Sequence, residues 1–336
     1  MSEIFLYSFN AVMPILLLML LGVLLRKLHF ADQAFFKKAN SLVFRVFLPL
    51  LLFCNVYDIE TLSDVNWRAV LFCVAIVLLL ALIGTLLAKL FIPNRLQKGP
   101  FIQCVFRSNC AIVGIPLAEA LGGAPAVAFT AVATAATIPL FNMLAVICLS
   151  YYSDETRKPS IGETLLRTVK NPLIISVALG LLVIFIRSLL PLRADGTAVF
   201  LLERDCPFFF SALSIAAKAA TPLALVVLGA RFDFTAVKTL RRQIALGTFM
   251  RIVFAPLLAI SAGVLLTRLG ILTIGKVEYP ALVAIFGSPI AVSSAVMIGE
   301  IGGDDQLGAQ FVVWTSVFSM FTIFITVFFL RTFALL

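Results

Sequence analysis

Long apolar runs, broken by short charged or Pro/Gly-containing stretches, set the rhythm of this chain. They fall near residues 4–25, 39–57, 69–92, 100–121, 126–151, 172–190, 207–230, 244–267, 280–301 and 308–334. A helix needs about 20 mostly apolar residues to cross a bilayer, so the pattern predicts an all-α integral membrane protein of ten transmembrane helices with short loops. The second and seventh runs are amphipathic at their starts, with Lys37, Lys38 and Arg45 in one and Lys218 in the other. Those two helices are expected to face protein or water as well as lipid.

Composition sharpens the class. Of 336 residues, 62% are hydrophobic and 13% charged, well above the roughly 45–50% apolar content of a soluble domain. A water-soluble globule is excluded, and no sizeable soluble domain fits beside ten spans. Met1-Ser2-Glu3 carries no basic region, and the first run reaches Leu25 without a small-residue cleavage site. It therefore reads as a retained first span.

The 26 Lys and Arg outnumber 17 Asp and Glu. Fifteen of the basic residues lie at odd-numbered connections, seven on the opposite face, and four (Arg45, Arg107, Lys218, Arg251) inside spans. Basic loops stay cytoplasmic, so the chain is expected in the cell (inner) membrane with both termini outside. The surplus thereby reports topology, and no nucleic-acid partner is implied. The six cysteines show no CxxC spacing and His29 is the single histidine. Neither a His-based metal centre nor a Ser/His/Asp machine can be assembled, and no cofactor is called for.

The longest interior polar stretch, Ser153 to Lys170, divides the chain into a first five-helix repeat (1–152), a cytoplasmic linker (153–171) and a second repeat (172–336). Five crossings is an odd number, so the second half enters from the opposite face, the inverted repeat of secondary transporters. Prolines follow the same division. Pro49 and Pro116 are 67 residues apart, as are Pro222 and Pro289.

The fourth span reads Arg107-Ser108-Asn109-Cys110-Ala111-Ile112-Val113-Gly114-Ile115-Pro116, then Leu117-Ala118-Glu119-Ala120-Leu121-Gly122-Gly123. Pro116 lacks an N–H and crowds the carbonyl of Ile112, so the helix is expected to break around Gly114 to Pro116. Exposed peptide groups survive at membrane depth only inside protein or along a wet cavity. The ninth span, Gly287-Ser288-Pro289-Ile290-Ala291-Val292-Ser293-Ser294, repeats the grammar and also runs on to a carboxylate, Glu300, and a Gly-Gly pair, Gly302-Gly303. If the two interruptions meet, the N-terminal ends of their second half-helices offer free N–H groups to an anion, and a carboxylate is the natural guest. The alternative is that both prolines only kink packed helices; their corresponding places in two halves favour discontinuous transport helices.

With these residues in view, the chain resembles the auxin efflux carrier family, including its bacterial malate or malonate permease-like members. The resemblance lies in S-N-x4-G-I-P-L-A-E-A-L-G-G at 108–123 and S-P-x-A-V-S-S at 288–294, and it covers nearly the whole chain. It implies crossing broken helices 4 and 9, as in bile-acid symporters and sodium/proton antiporters. It also implies transport of a small organic anion such as malate or malonate by alternating access. Auxin-like aromatic acids and an anion channel are the alternatives. By motif position, Asn109, Cys110, Gly114, Ile115 and Pro116 would form one side of the substrate site and Pro289, Ser293 and Ser294 the other. Relatives often carry Asn where Ser293 stands. A homodimer, and coupling to protons or sodium, are compatible with this reading.

Two cations are candidate charge partners. Arg107 precedes Pro116 by nine residues, about 13 Å along a helix, which places it toward the cytoplasmic mouth. Lys218 precedes Pro222 by about one turn. Arg45 and Arg251 are expected to snorkel or to tie helices together. Glu119 and Glu300 are expected to face water near the ends of their spans. An enzyme is the rival from another class, since Tyr57-Asp58 and Gly302-Gly303-Asp304 superficially suggest a membrane aspartyl protease. Ile301 stands where that motif needs glycine, and the topology puts the two aspartates on opposite faces, too far apart to share a proton.

Overall fold

A computed structural model describes residues 2–57, 66–153, 162, 166, 169–189, 200–233 and 235–336; of residues 2–12, 15, 55, 56, 111, 116, 124, 188 and 189 only the backbone is described. Asp58 lies outside these residues. Every regular element among them is a helix. In chain order they are α1 (Ser2–Lys27), α2 (Gln33–Leu42), α3 (Leu48–Tyr57), α4 (Trp67–Phe91), α5 (Arg95–Phe106), α6 (Ile115–Tyr152) and α7 (Pro172–Leu189). After a single turn at Leu202–Asp205 come α8 (Pro207–Arg231), α9 (Ala236–Phe249), α10 (Ala255–Arg268), α11 (Glu278–Gly287), α12 (Val292–Ile301) and α13 (Asp305–Thr332).

Among the described residues, six stretches are long and apolar enough to cross a membrane: Trp67–Phe91, Pro125–Tyr152, Pro207–Arg231, Ala236–Arg268, Glu278–Ile301 and Asp305–Thr332. Ile112–Gly123 and Pro172–Arg187 are shorter apolar helices. The chain is thus a multi-pass, all-helical membrane protein over its described residues.

Helices α2, α5 and α9 begin several residues before the apolar runs that announce them. Two of these starts are fixed by capping. The Asp32 carboxylate accepts the Phe35 N–H at 2.7 Å, and the Asn94 side chain accepts that of Leu96 at 3.0 Å. Such caps satisfy orphan donors of the first turn and let a helix extend into polar sequence. Three five-residue π-turns, at Val43–Phe47, Cys110–Gly114 and Met250–Phe254, join α2 to α3, lead into α6 and join α9 to α10. A π-turn inserts a residue into the helical ladder and rotates the next turns against the preceding ones, a device found mostly at functional positions.

Packing sorts the helices into two groups, which also touch each other where α1 lies along α13 and α8 along α12. In the first, α1 lies along α8, and α3 packs on α7 and α8. Gly22 and Gly229 make the α1–α8 approach, since a Cβ on either would run into the opposite backbone at Val226 or Met19. Small residues at a seam of this kind let membrane helices come close. In the second group α4 packs on α5, α5 and α11 on α6, α10 on α11, and α9 and α12 on α13. The most apolar window of Glu278–Ile301 is 94% buried, against 39% to 44% for the other long spans. The broken α11–α12 pair is therefore the centre of the molecule, shielded from lipid by its neighbours.

Candidate functional site

Two interrupted helices meet at this centre. The α5 helix stops at Phe106, and Arg107 is extended (φ −85°, ψ 127°). The chain re-enters helical geometry through the π-turn at Cys110–Gly114. The α11 helix stops at Gly287, Ser288 and Ala291 are extended, and α12 begins at Val292. The breaks are bonded to each other: the Asn109 N–H donates to the Pro289 carbonyl at 2.9 Å. Neighbouring groups take up other loose ends, with the Ile290 N–H donating to Thr315 Oγ1 at 3.1 Å and Ser288 Oγ to the Ala284 carbonyl.

The first interruption therefore lies at Arg107–Asn109, not at the expected Gly114–Pro116. Pro116 lies within the helical stretch that Cys110 opens, directly after the π-turn, where the Ile115 N–H already reaches back five residues to the Cys110 carbonyl. The widened ladder of the π-turn accommodates the missing N–H of proline without a break. Pro289 lies within the break itself. Gly114 closes the π-turn against α11, where a Cβ would stand 2.6 Å from the Ala284 carbonyl oxygen.

Arg107 is corrected by the same shift. It does not stand a helical length away at the mouth: it is 3% exposed and lines the central cavity. Its Nη2 donates to Asn142 Oδ1 and Ser293 Oγ, both at 2.8 Å, and its Nη1 contacts Met297 Sδ at 2.6 Å. None of these partners is charged, and Arg107 makes no ion pair among the described residues. Lys218, the other candidate, is exposed and does not line the cavity.

Arg251 is the residue that sequence reasoning undervalued. It lies in the Met250–Phe254 π-turn and is fully buried, so it does not snorkel; it ties helices together. Its guanidinium donates to five carbonyls: Ser288 (3.0 Å), Val105 (3.4 Å), Phe106 (3.2 Å), Ile285 (2.9 Å) and Phe286 (2.9 Å). These are the orphan acceptors at the C-terminal ends of α5 and α11, where the negative ends of both helix dipoles converge. One side chain caps both first half-helices.

The cavity, of about 190 Å³, is lined by Arg107, Ser108, Asn109 and Cys110 from the first break and by Ala291, Val292 and Ser293 from the second. Asn142 of α6, Leu48, Leu51 and Leu52 of α3, and Thr221 and Ala224 of α8 complete much of the wall. The site thus lies between the two helix groups. Asn109 Nδ2 and Ser108 Oγ are buried there without a hydrogen-bond partner. Buried polar groups are almost always satisfied, and these two are exceptions among the described residues on the same cavity wall as Arg107. Ser294 is fully buried with its Oγ unpartnered but does not line the cavity, and Ile115 begins α6 beyond it.

Away from the centre, Glu300 is drawn into structure and does not simply face water. It accepts from Ser41 Oγ (2.7 and 2.9 Å) and pairs with Arg45 at 3.1 Å, joining α12 to α2 and its π-turn. Glu119 is exposed. Arg231 pairs with Asp305, and Asn40 Nδ2 donates to the Val296 carbonyl at 3.2 Å. The two helix groups are therefore tied by polar contacts along the end of α12 and the start of α13.

No curated protein matches the chain. Residues 7–327 match the family described as membrane transport protein. Because that match spans nearly the whole of an all-helical, membrane-spanning chain, the protein belongs to the membrane transport protein family, the auxin efflux carrier type of transporter.

Proposed function

We propose that this transporter carries a small organic anion, a mono- or dicarboxylate such as malate or malonate, by alternating access around the crossing breaks. The observation that carries the reading is Arg107: a buried guanidinium on the cavity wall with only neutral partners. A charge left in low dielectric without a counter-charge is costly, and an anionic guest removes that cost. Asn109 Nδ2 supplies an unused donor beside it, and the start of α12 adds the positive end of a helix dipole. Ser293 orients Arg107, and Cys110 and Ala291 complete the wall. The cavity volume of about 190 Å³ accommodates a small acid.

In this reading the chain crosses the membrane ten times as two inverted five-helix repeats, 1–152 and 172–336, joined by a cytoplasmic linker at 153–171. Supporting it, α6 loses helical geometry at Gly123 (φ 64°) and α12 ends at Gly302 (φ 102°), the first the second member of its Gly-Gly pair and the other the first of its own. The group formed by α1, α3, α7 and α8 would rock against the rest, with both termini outside. A counterflow screen of organic acids on purified protein, with and without sodium and across pH, tests substrate class and coupling together. Saturable counterflow of a carboxylate is expected; ohmic, unsaturating current would indicate a channel.

A further inference from the structure

Resting on that carrier reading, we infer that the protein is an anion exchanger, moving readily between its two faces only when loaded. The contrast between the two buried guanidiniums is the starting point. Arg251 is held by five carbonyl oxygens, including those at two helix C-termini, and its charge is fully accommodated by the protein. Arg107 has two oxygens, a sulfur and the cavity. Neither arginine makes an ion pair among the described residues.

Alternating access requires an intermediate in which the cavity is sealed from both sides. With an anion inside, the sealed cavity holds a paired charge. Without one, sealing cuts the cavity off from bulk water and leaves the Arg107 guanidinium, already 3% exposed, with no counter-charge, which is the costliest arrangement of a buried ion. The unloaded crossing is therefore slower than the loaded one. Net movement of substrate needs the unloaded crossing once per cycle, whereas exchange of one anion for another never uses it. Asn142, Ser293 and Met297 hold Arg107 in place but cannot neutralise it, so the asymmetry is built into the fold.

The experiment uses full-length protein in liposomes loaded with radiolabelled malate or, separately, malonate, with valinomycin and equal potassium holding the voltage at zero. Efflux into buffer containing the same unlabelled acid should exceed efflux into acid-free buffer by about tenfold or more. Equal rates in the two buffers would overturn the exchange proposal while leaving the carrier intact. No efflux of either acid in either buffer would sink the carboxylate-carrier reading, and the exchange proposal with it. Two variants separate charge from affinity. Asn109→Ala should weaken binding yet keep the ratio, because the charge is untouched. Arg107→Gln, where it still moves substrate, should bring the ratio toward one; a retained tenfold ratio would count against the role of Arg107. If Arg107→Gln does not fold, the wild-type ratio and the Asn109→Ala ratio decide the matter.

Discussion

The Asn109 N–H and the Pro289 carbonyl, 180 positions apart in the chain, are joined by a 2.9 Å hydrogen bond where two helices are interrupted. This bond uses the backbone of Asn109 and leaves its side chain free, so the position has two separable tasks: the peptide holds the breaks together and the amide Nδ2 faces an unmet need.

That separation gives the first prediction. Asn109→Ala keeps the backbone bond and removes the unpaired donor, so membrane abundance should change little while carboxylate affinity falls about tenfold, the value of about one hydrogen bond to a charged group. Asn109→Asp should cost more, because a carboxylate fixed beside Arg107 would compete with the substrate for the guanidinium. Equilibrium binding to purified protein, with abundance measured in parallel, checks both; unchanged affinity in Asn109→Ala would remove the residue from the site.

Arg251 should behave as a structural residue. Replacing it with Met leaves five buried carbonyls without their donor, at a cost of about 3 kcal/mol or more since each bond to a charged group is worth about 1.5–3. Lys has three donors on a flexible stem and cannot reproduce the fork. Thermal unfolding in detergent should rank wild type above Arg251→Lys and that above Arg251→Met. An Arg251→Met protein as stable as wild type would show that the helix ends find other partners.

Glycine at 114 is required by space. A methyl group there would stand 2.6 Å from the Ala284 carbonyl oxygen, which belongs to backbone and cannot swing aside. Gly114→Ala should push α6 off α11 and lower folded yield severely, whereas an alanine at Gly275, whose nearest neighbour is a Glu278 carboxylate oxygen at 3.6 Å, should be tolerated. Comparable monodisperse yields for the two variants would contradict this.

Glu300 joins the two helix groups through Arg45, whose side chain is 70% exposed. An ion pair that open contributes less than about 1 kcal/mol, so Glu300→Gln should leave thermal stability nearly unchanged. Under the proposed rocking motion it should nevertheless shift the balance between open and closed arrangements, because the contact would span the groups that separate. Accessibility of a cysteine introduced at Ala39, which takes no part in the contact, to a membrane-impermeant thiol reagent should rise in the variant; identical labelling would mean the contact does not hold the groups together.

Asp233 lies between spans, and the Thr235 hydroxyl and N–H that donate to it hold its carboxyl below the usual range. A folded pKa below the unfolded one means that its contribution is present above the unfolded value, about pH 4, and fades as pH falls through the folded value. Thr235→Ala should therefore alter stability near neutral pH, and the difference from wild type should vanish in acid. A difference independent of pH would assign the effect to Thr235 itself.

Much of this protein was legible from its residues alone. Apolar runs of membrane-crossing length specify the class because hydrocarbon admits backbone only as satisfied helix, and that rule acts locally along the chain. The small, hydroxyl and proline-bearing segments at 107–116 and 287–294 likewise announce two interruptions within single spans. Local sequence could not decide where the first break falls and which charges it gathers. Proline's effect depends on the ladder it enters, and Pro116 follows a π-turn in which the bonding has already shifted to i−5. The position of Arg107 on the cavity wall came with that shift of the break toward the N-terminus. The reach of Arg251 into the carbonyl ends of α5 and α11 depends on three segments distant in sequence arriving at one point. A buried guanidinium settles where orphan acceptors converge, and only the packed tertiary structure fixes that place.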